Sequence, residues 1–279
     1  MPSSRILRSL LFVPAANARK VEKARQWQAD AVILDWEDAV LPEDKPLARM
    51  LTRELLLGRG EAGPKILVRL NPVSSDWFAD DLAALESLRP DGALLSKCRS
   101  PEEVERTAKA LDCGLCPLIE SPLGLQNAFS IATASPLVEA LAFGAEDFCA
   151  ETGIRRSDGE PELLYARSAI VTACRAAGRE VYDSPCLELE DLEAVRVSAE
   201  RSRNLGFSGK LAIHPKHVPV IDGVFSPTDE EVREAQLLLE AFAASPSGAL
   251  RWKGRMVDEA ILRQARRILE RASLLVKPR

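Results

Sequence analysis

Carboxylate side chains follow two of the short apolar runs in this chain of 279 residues. Glu120 comes directly after the run that begins at Leu115, and Asp147 follows the run that ends at Phe143. Two acidic side chains, completed by water and by oxygen atoms of a bound molecule, are a common protein site for Mg²⁺. We therefore predict that Glu120 and Asp147 bind Mg²⁺, with Mn²⁺ as a substitute. The alternative for each acid is to cap the helix that follows it.

An arginine lies at the end of a third apolar run. Arg69 follows three apolar residues and precedes an Asn-Pro pair, which predicts the end of a strand rather than an exposed helix face. Its planar guanidinium suits a carboxylate or an enolate oxygen, so we expect Arg69 to bind and polarise a substrate. The alternative is that Arg69 neutralises Glu37 or Asp38, and the two roles are compatible.

A short backbone segment before Asp147 is a candidate anchor for a substrate carboxylate. It consists of Gly144, Ala145 and Glu146. Because glycine lets a ligand approach the main chain closely, the N–H groups of these three residues are predicted to bind substrate.

Other polar residues have weaker claims to chemistry. Lys97 ends a further apolar run, where a lysine forms either a Schiff base or, more commonly, an ion pair. His214 and His217 flank a proline at a spacing that is poor for two ligands of one metal, so His214 is expected to hydrogen-bond at its strand end. Cys113 and Cys116 have zinc or redox spacing, but no second cysteine pair or nearby histidine completes a set of four ligands.

The elements that position these residues are eight apolar runs that alternate with segments of helical periodicity. The predicted strands are Ser9–Pro14, Ala31–Trp36, Lys65–Leu70, Gly92–Ser96, Leu115–Glu120, Val138–Phe143, Arg179–Tyr182 and Lys210–His214. This spacing indicates parallel strands covered by helices on both faces. Eight such units predict an α/β fold, a (β/α)₈ TIM barrel, with its site at the carboxyl ends of the strands. An open doubly wound sheet is the rival, but no G-x-G-x-x-G follows the first strand.

The strand pattern ends near residue 226, which divides the chain into two predicted parts. Residues 1–226 are predicted to form the barrel domain, and residues 227–279 a C-terminal helical extension that acts as a lid or a subunit contact. The extension contains helical patterns at Asp229–Ala244 and Val257–Ala272, separated by a turn at Trp252–Arg255.

Composition excludes several classes of protein. The formal net charge is −5, and basic residues are scattered, so no patch for DNA or RNA is expected. No apolar run approaches the roughly 18–20 residues that span a bilayer, and the first residues lack a secretory signal pattern, so we expect a cytoplasmic protein without membrane contact. Six cysteines are too few for a disulfide scaffold in a chain of this length.

Ordered motifs along most of the chain resemble the HpcH/HpaI aldolase and citrate lyase family, in its citrate lyase beta subunit-like branch. The motifs are Arg8–Pro14, Ile33–Val40, Val68–Asn71, Ile119–Ser121, Phe143–Phe148, and Gly209–Pro215 with Phe225–Thr228 after it. Six motifs in order are far more specific than any one of them.

The resemblance implies a metal-dependent TIM barrel that acts on a hydroxyacyl thioester or a 2-oxo acid. It implies that Glu120 and Asp147 hold Mg²⁺ and that Arg69 polarises the substrate. Glu37 and Asp38 correspond to an acidic pair beside the metal with a catalytic role. Asp258 corresponds to a lid aspartate that reaches the site of a neighbouring subunit as acid or base, which implies a homo-oligomer, in particular a homotrimer.

The resemblance implies cleavage of malyl-CoA, citramalyl-CoA or citryl-CoA into acetyl-CoA and glyoxylate or a 2-oxo acid. The reverse reaction is the condensation of these two products. The basic residues after the first strand are candidate contacts for the CoA group: Arg19, Lys20 and Lys23. The alternative is that they form one solvated helix face. Three alternatives stay open: a malyl-CoA thioesterase, a partner-dependent acyl-binding subunit, and a phosphoenolpyruvate-using barrel. The last requires more basic phosphate ligands than Lys210 and Lys216.

Overall fold

Eight parallel strands close into a barrel in the computed structural model, which describes residues 6–58, 60, 63–244 and 250–275. The strands are β1 (Ser9–Pro14), β2 (Ala31–Asp35), β3 (Lys65–Leu70), β4 (Gly92–Leu95), β5 (Gly114–Ile119), β6 (Ala140–Phe143), β7 (Glu180–Asp183) and β8 (Gly209–Ala212). They pair in sequence order, and β8 pairs with β1. The predicted (β/α)₈ TIM barrel is therefore confirmed.

Helices connect successive strands, as parallel pairing requires. The α-helices of the barrel region are α1 (Ala18–Lys23), α2 (Lys45–Leu57), α3 (Phe78–Glu86), α4 (Pro101–Ala108), α5 (Pro122–Gln126), α6 (Ala128–Thr133), α7 (Ala145–Thr152), α8 (Leu164–Ala177), α9 (Leu192–Leu205) and α10 (His217–Phe225). Single 3₁₀ turns occur at Ala24–Gln26, Pro42–Asp44 and Pro161–Leu163. Proline at the first turn of α4 and α5 fits its fixed φ and missing N–H.

Alternate residues of each strand point into the barrel, where they form one apolar cluster. The cluster includes Ile33 of β2, Leu67 of β3, Leu118 of β5, Tyr182 of β7 and Leu211 of β8. Because side chains alternate with a period of two, residues two positions after Ile33, Leu67 and Leu118 face inward as well. The intervening residues pack outward against the helices.

The chain divides into two compact units, Leu7–Asp222 and a second that contains the described part of Gly223–Arg279. The second unit holds α11 (Asp229–Ala243), a hairpin of β9 (Leu250–Trp252) and β10 (Arg255–Val257), and α12 (Glu259–Leu275). Thr228 and Glu231 form a capping box at the start of α11.

The hairpin differs from the sequence prediction, which began the last helix at Val257. Val257 ends β10 instead, and α12 begins after Asp258. The turn residues Lys253 and Gly254 have φ of 46° and 81°, and two residues with positive φ form the tight turn that matches strand twist. Among the described residues no helix is long and apolar enough to cross a membrane.

Candidate active site

A cavity of about 690 Å³ opens beyond the carboxyl ends of the barrel strands. Its apolar wall includes Leu11, Phe12, Val13, Leu118, Phe143, Leu187, Leu211 and Ile213. Its polar lining includes Lys20, Asp35, Asp38, Arg69, Glu120, Glu146, Asp147, Ser184 and His214. A concave apolar pocket with a few convergent polar groups is the usual form of a small-molecule site.

Arg69 is held over this cavity by a carboxylate that lies beside it in the sheet. The parallel register of β2 and β3 pairs Asp35 with Arg69, and both residues fall on the inward face. Arg69 donates from Nε to Asp35 Oδ1 at 2.8 Å and from Nη2 to Oδ2 at 2.6 Å. This two-point ion pair fixes the plane of the guanidinium and leaves donors for a further ligand.

Glu37 and Asp38 lie between Arg69 and a lysine. Glu37 Oε2 is 3.0 Å from Arg69 Nη1, and Lys97 Nζ donates to Glu37 Oε1 at 2.7 Å and to Asp38 Oδ1 at 3.3 Å. Burial raises the pKa of Glu37, against the opposing charge of Arg69. Burial also opposes ionisation of Asp38, but its hydrogen bond with Glu37 and the charges of Arg69 and Lys97 lower its pKa.

Lys97 is an ion-pair partner, which was the commoner of its two predicted roles. Although burial favours the neutral amine, hydrogen bonding and charge pairing with Glu37 raise the pKa of Lys97 well above its usual range. A Schiff base needs the neutral amine as nucleophile. The observed contacts therefore disfavour that chemistry.

Glu120 and Asp147 meet at the same part of the cavity. Glu120 is buried directly after β5, and Asp147 lies in the first turn of α7. A side chain at Gly144 would place its Cβ 2.4 Å from Glu120 Oε2, so the carboxylate occupies the space that this glycine leaves open. Burial, reinforced by the charge of Asp147, raises the pKa of Glu120 to about 8.

The site contains more carboxyl groups than cationic groups. Five carboxylates, those of Asp35, Glu37, Asp38, Glu120 and Asp147, interact with the two cations Arg69 and Lys97. The described residues contain no group of three or more His, Cys, Asp or Glu that would bind a metal alone. Two carboxylates with room for water and substrate oxygens nevertheless suit Mg²⁺. Burial and the charge of Asp147 raise the pKa of Glu120 more than the charge of Arg69 lowers it.

The predicted backbone anchor contributes in two different ways. The Gly144 N–H donates to the Ile119 carbonyl at 3.0 Å, so Gly144 supplies space rather than a donor. Ala145 and Glu146 supply N–H groups in the first turn of α7, where a helix favours an anion. The side chain of Glu146 is exposed and pairs with Arg156.

A buried polar network supports the loop that carries the acidic pair. Lys45 Nζ donates to the carbonyls of Trp36 and Glu37 at 2.8 and 3.2 Å and to Asn71 Oδ1 at 2.8 Å. Asn71 in turn donates to Asp81 at 2.8 Å. These hydrogen bonds hold the backbone of Trp36 and Glu37 in place.

Several residues that the sequence singled out lie elsewhere. Lys210 is fully buried against Asp183 at 3.1 Å, and Lys216 is exposed and bonds Glu190, so neither supplies a phosphate ligand in the cavity. His214 lines the cavity, and its Nδ1 accepts from the Lys216 N–H at 3.2 Å, as expected of a strand-end histidine.

Two further predictions concern thiols and the CoA contacts. Cys113 and Cys116 are free, and burial raises the pKa of Cys113 to about 11, so this thiol is not ionised at neutral pH. Of the basic residues proposed for the CoA group, Lys20 lines the cavity.

Asp258 belongs to the C-terminal unit. Its Oδ1 accepts from the N–H groups of Ala260 at 3.0 Å and Ile261 at 3.3 Å, so the carboxylate caps α12. Its role in catalysis stays a prediction.

Sequence reasoning missed Asp35, the residue that orients Arg69. A signal for it exists: once the two runs that begin at Ala31 and Lys65 are aligned as neighbouring parallel strands, Asp35 falls beside Arg69. The left-handed backbone of Lys97, with φ of 50°, has no such signal, because that conformation is usual for glycine and asparagine.

Comparison with known proteins places this chain in a recognised family. The family model for HpcH/HpaI aldolase/citrate lyase matches residues 8–215. "Citrate lyase subunit beta" of Escherichia coli (strain K12) is 33% identical over 286 residues, which covers 97% of this chain and 95% of that protein. "L-malyl-CoA/beta-methylmalyl-CoA lyase" of Rhodobacter capsulatus is 34% identical over 305 residues, with 97% and 96% covered.

A solved structure gives the same result. The CitE protein of Mycobacterium tuberculosis, in complex with magnesium, acetoacetate and coenzyme A, is 32% identical with a TM-score of 0.85 and covers 96% of this chain and 99% of that chain. The chain belongs to the HpcH/HpaI aldolase/citrate lyase family, as the sequence motifs predicted.

Proposed function

We propose that this chain is a Mg²⁺-dependent carbon–carbon lyase that cleaves or forms a hydroxyacyl-CoA thioester. The candidate thioesters are malyl-CoA, citramalyl-CoA and citryl-CoA, which yield acetyl-CoA with glyoxylate or a 2-oxo acid. The observation that carries the proposal is the excess of carboxylates over cations around one cavity. The names of the relatives agree with it, because one acts on malyl-CoA and another is bound to magnesium, acetoacetate and coenzyme A.

Glu120 and Asp147 are the proposed ligands of the metal, for which Mn²⁺ is a substitute. Bound there, Mg²⁺ would supply a Lewis acid and a template for the carboxylate and adjacent oxygen of a 2-oxo acid unit. Gly144 leaves the space for Glu120. The N–H groups of Ala145 and Glu146, in the first turn of α7, are our proposed anchor for the substrate carboxylate.

Arg69 supplies the fixed positive charge. Asp35 takes two of its N–H donors and thereby holds the remaining part of the guanidinium toward the cavity. Glu37 and Asp38 keep the other edge in place, so little reorganisation is needed when negative charge develops on an oxygen.

In the cleavage direction a base takes the proton of the hydroxyl group that becomes the carbonyl oxygen. The carbon–carbon bond then breaks, its electron pair passes into the enolate of the thioester, and protonation of that carbon gives acetyl-CoA. We propose that the apolar wall of the cavity excludes water from the bound thioester. Without that exclusion, hydrolysis of the thioester would be the competing result.

Asp258 is our proposed acid or base for this proton, contributed by the lid of a neighbouring subunit. The proposal extends to a cytoplasmic homotrimer with residues 1–226 as catalytic domain and residues 227–279 as lid and subunit contact. We expect Asp258→Ala to lower kcat by about 10²-fold or more, the usual contribution of a general acid or base, while Mg²⁺ affinity persists. Equal turnover by variant and parent excludes Asp258 as a catalyst.

The experiment that tests the function is turnover by the purified chain of malyl-CoA, citramalyl-CoA, citryl-CoA and free citrate, with Mg²⁺ or with a chelator. The carbonyl product and the free CoA thiol are followed together. A carbonyl product with acetyl-CoA, only when Mg²⁺ is present, supports the lyase. Free thiol with an intact hydroxy acid identifies a thioesterase instead.

A partner-dependent subunit is the second candidate, because the Escherichia coli relative is named as a subunit. Absence of turnover for every substrate, in a chain that still binds Mg²⁺ and CoA thioesters by calorimetry, would favour this acyl-binding role. Turnover by the chain alone would exclude it.

A further inference from the structure

Lys97 adopts a backbone conformation that is unfavourable for its side chain. Its φ is 50°, and among the described non-glycine residues only Glu160 and Lys253 share a positive φ. A residue keeps such a conformation when its surroundings impose it, and outliers of this kind cluster at functional sites. The contacts of Lys97 show which interactions this backbone conformation makes possible.

The main chain of Lys97 is directed at a proposed metal ligand. Its N–H donates to Glu120 Oε1 at 2.5 Å, and the other oxygen of Glu120 lies against Gly144. The carboxylate is therefore fixed from two sides by main-chain atoms. Side-chain changes at Lys97 leave this N–H in place if the left-handed turn is kept.

The ammonium group of Lys97 is directed at the acidic pair. Nζ lies 2.7 Å from Glu37 Oε1, while Arg69 Nη1 lies 3.0 Å from the other oxygen of the same carboxylate. Glu37 thus bridges the two cations, and its position determines where one edge of Arg69 lies. Asp38, which is 55% exposed, accepts from Nζ at 3.3 Å.

We propose that Lys97 is a positioning residue with two separable parts. The left-handed main chain orients Glu120 for the metal, and the ammonium holds Glu37 and, through it, the substrate-binding edge of Arg69. This inference rests on the proposed lyase function. Mg²⁺ affinity tests the role of the main chain, and kcat tests the role of the ammonium, so either role can be refuted without the other.

The variant Lys97→Gly separates the parts, because glycine adopts positive φ freely and keeps the N–H. We expect its Mg²⁺ affinity, by calorimetry, to stay within twofold of the parent. We expect kcat to fall about 10²-fold with a smaller change in KM, and binding of oxaloacetate in the presence of Mg²⁺ to weaken. n-Butylammonium, which has the atoms of the missing side chain, is expected to restore part of kcat.

The variant Lys97→Ala also loses the ammonium, but alanine, like lysine, adopts the left-handed turn less readily than glycine, and it lacks the ammonium contacts that hold the turn in the parent. We expect it to match Lys97→Gly in kcat and to bind Mg²⁺ about fivefold more weakly. Lys253→Gly is the matched control, since it removes another lysine of positive φ, in the hairpin turn, and is expected to leave Mg²⁺ affinity unchanged.

Three results would overturn the proposal. The first is a parental kcat in Lys97→Gly. The second is an equal loss of Mg²⁺ affinity in the glycine and alanine variants. The third is a loss of kcat that n-butylammonium does not restore, in a variant whose melting temperature is also lowered. If the parent turns over none of the thioesters, the lyase function fails, yet the Mg²⁺ and oxaloacetate measurements still decide the role of Lys97.

Discussion

Two pairs of neighbouring strands each place an aspartate beside a basic residue. One of these residue pairs faces the cavity, and the other faces the surrounding helices. Asp35 lies beside Arg69 in β2 and β3, and Asp183 lies beside Lys210 in β7 and β8. Asp35 and Arg69 point inward and line the cavity. Asp183 and Lys210 point outward, where Arg167 of α8 bonds Asp183 at 3.0 Å and Lys210 is fully buried.

The two clusters also differ in charge. Around Asp183, the cations Arg167 and Lys210 both interact with Asp183, and Glu160 interacts with Arg167, Arg156 and Arg201, so the outer cluster has more cations than carboxylates. The cations Lys210 and Arg167 lower the pKa of Asp183 in spite of its burial. Around the cavity five carboxylates interact with two cations. The inner cluster, which faces a cavity and has an excess of carboxylates, is therefore the better candidate for a site.

The largest expected effect is on stability, at the outer cluster. Asp183→Ala leaves Arg167 and Lys210 buried without their shared anion, so we expect the free energy of unfolding to fall by about 3–5 kcal/mol. Urea denaturation measures the change. Asp112→Ala is the control, because Asp112 forms an exposed pair with Arg89 at 3.7 Å and such pairs contribute about 0–1 kcal/mol. A loss below 1 kcal/mol for Asp183→Ala would mean that the outer cluster is not structural.

The inner cluster is expected to respond in activity instead. Arg69→Lys keeps the charge but loses the planar fork that joins Asp35, Glu37 and a substrate. We expect kcat to fall about 10²–10³-fold, the cost of losing a preorganised donor, with Mg²⁺ affinity changed less than about threefold. Steady-state kinetics and calorimetry measure the two quantities. Parental kcat in this variant would show that Arg69 acts as a point charge or not at all.

The sequence predicted the barrel well because the apolar runs are strong and regular. β1 and β3 have the predicted bounds, and the other strands begin or end within a few residues of them. The hairpin of the C-terminal unit was missed because each strand has three residues, too few for alternation to show. Only its turn was recognised, from the Lys253-Gly254 pair.

The sequence could not distinguish the inner cluster from the outer one. Strands covered on both faces are apolar throughout, so they carry no alternation that says which acid faces the cavity. Glu120, Asp147 and Arg69 were found from their positions after apolar runs, whereas Asp35 needed the register of two strands. The contacts of Lys97 needed a turn conformation that its residue type does not predict.

The next effect concerns metal affinity. Glu120→Ala and Asp147→Ala each remove one proposed ligand, and we expect each to weaken Mg²⁺ binding by at least about tenfold, or 1.4 kcal/mol. Glu146→Ala is the matched control: it removes a neighbouring exposed carboxylate that pairs with Arg156 and keeps the backbone N–H. Titration of the folded proteins with Mg²⁺ measures the affinity. Unchanged curves for both ligand variants would exclude the metal site.

The smallest effect is a difference in pH dependence between the two clusters. The pKa of Asp183 is lowered in the folded protein, so its contribution to stability is present above the unfolded pKa near 4 and is lost as the pH falls further. The pKa of Glu120 is raised to about 8, so the folded protein retains a proton that the unfolded chain releases. Without metal, Glu120 therefore lowers stability progressively as the pH rises from about 4.5 to 8.

Mg²⁺ is expected to change the pH dependence of stability that comes from Glu120 and not the one that comes from Asp183. Because the metal requires the ionised carboxylate, the stabilisation by a fixed Mg²⁺ concentration should increase from pH 6 to pH 8 in the parent. In Glu120→Gln, which has no proton to release at this position, we expect both the decline without metal and this increase to be reduced. Unfolding in urea at pH 6, 7 and 8, with Mg²⁺ or with a chelator, measures both. If Mg²⁺ stabilises the parent equally at all three pH values, Glu120 is already ionised at pH 6, and its surroundings stabilise the charged carboxylate more than its burial indicates.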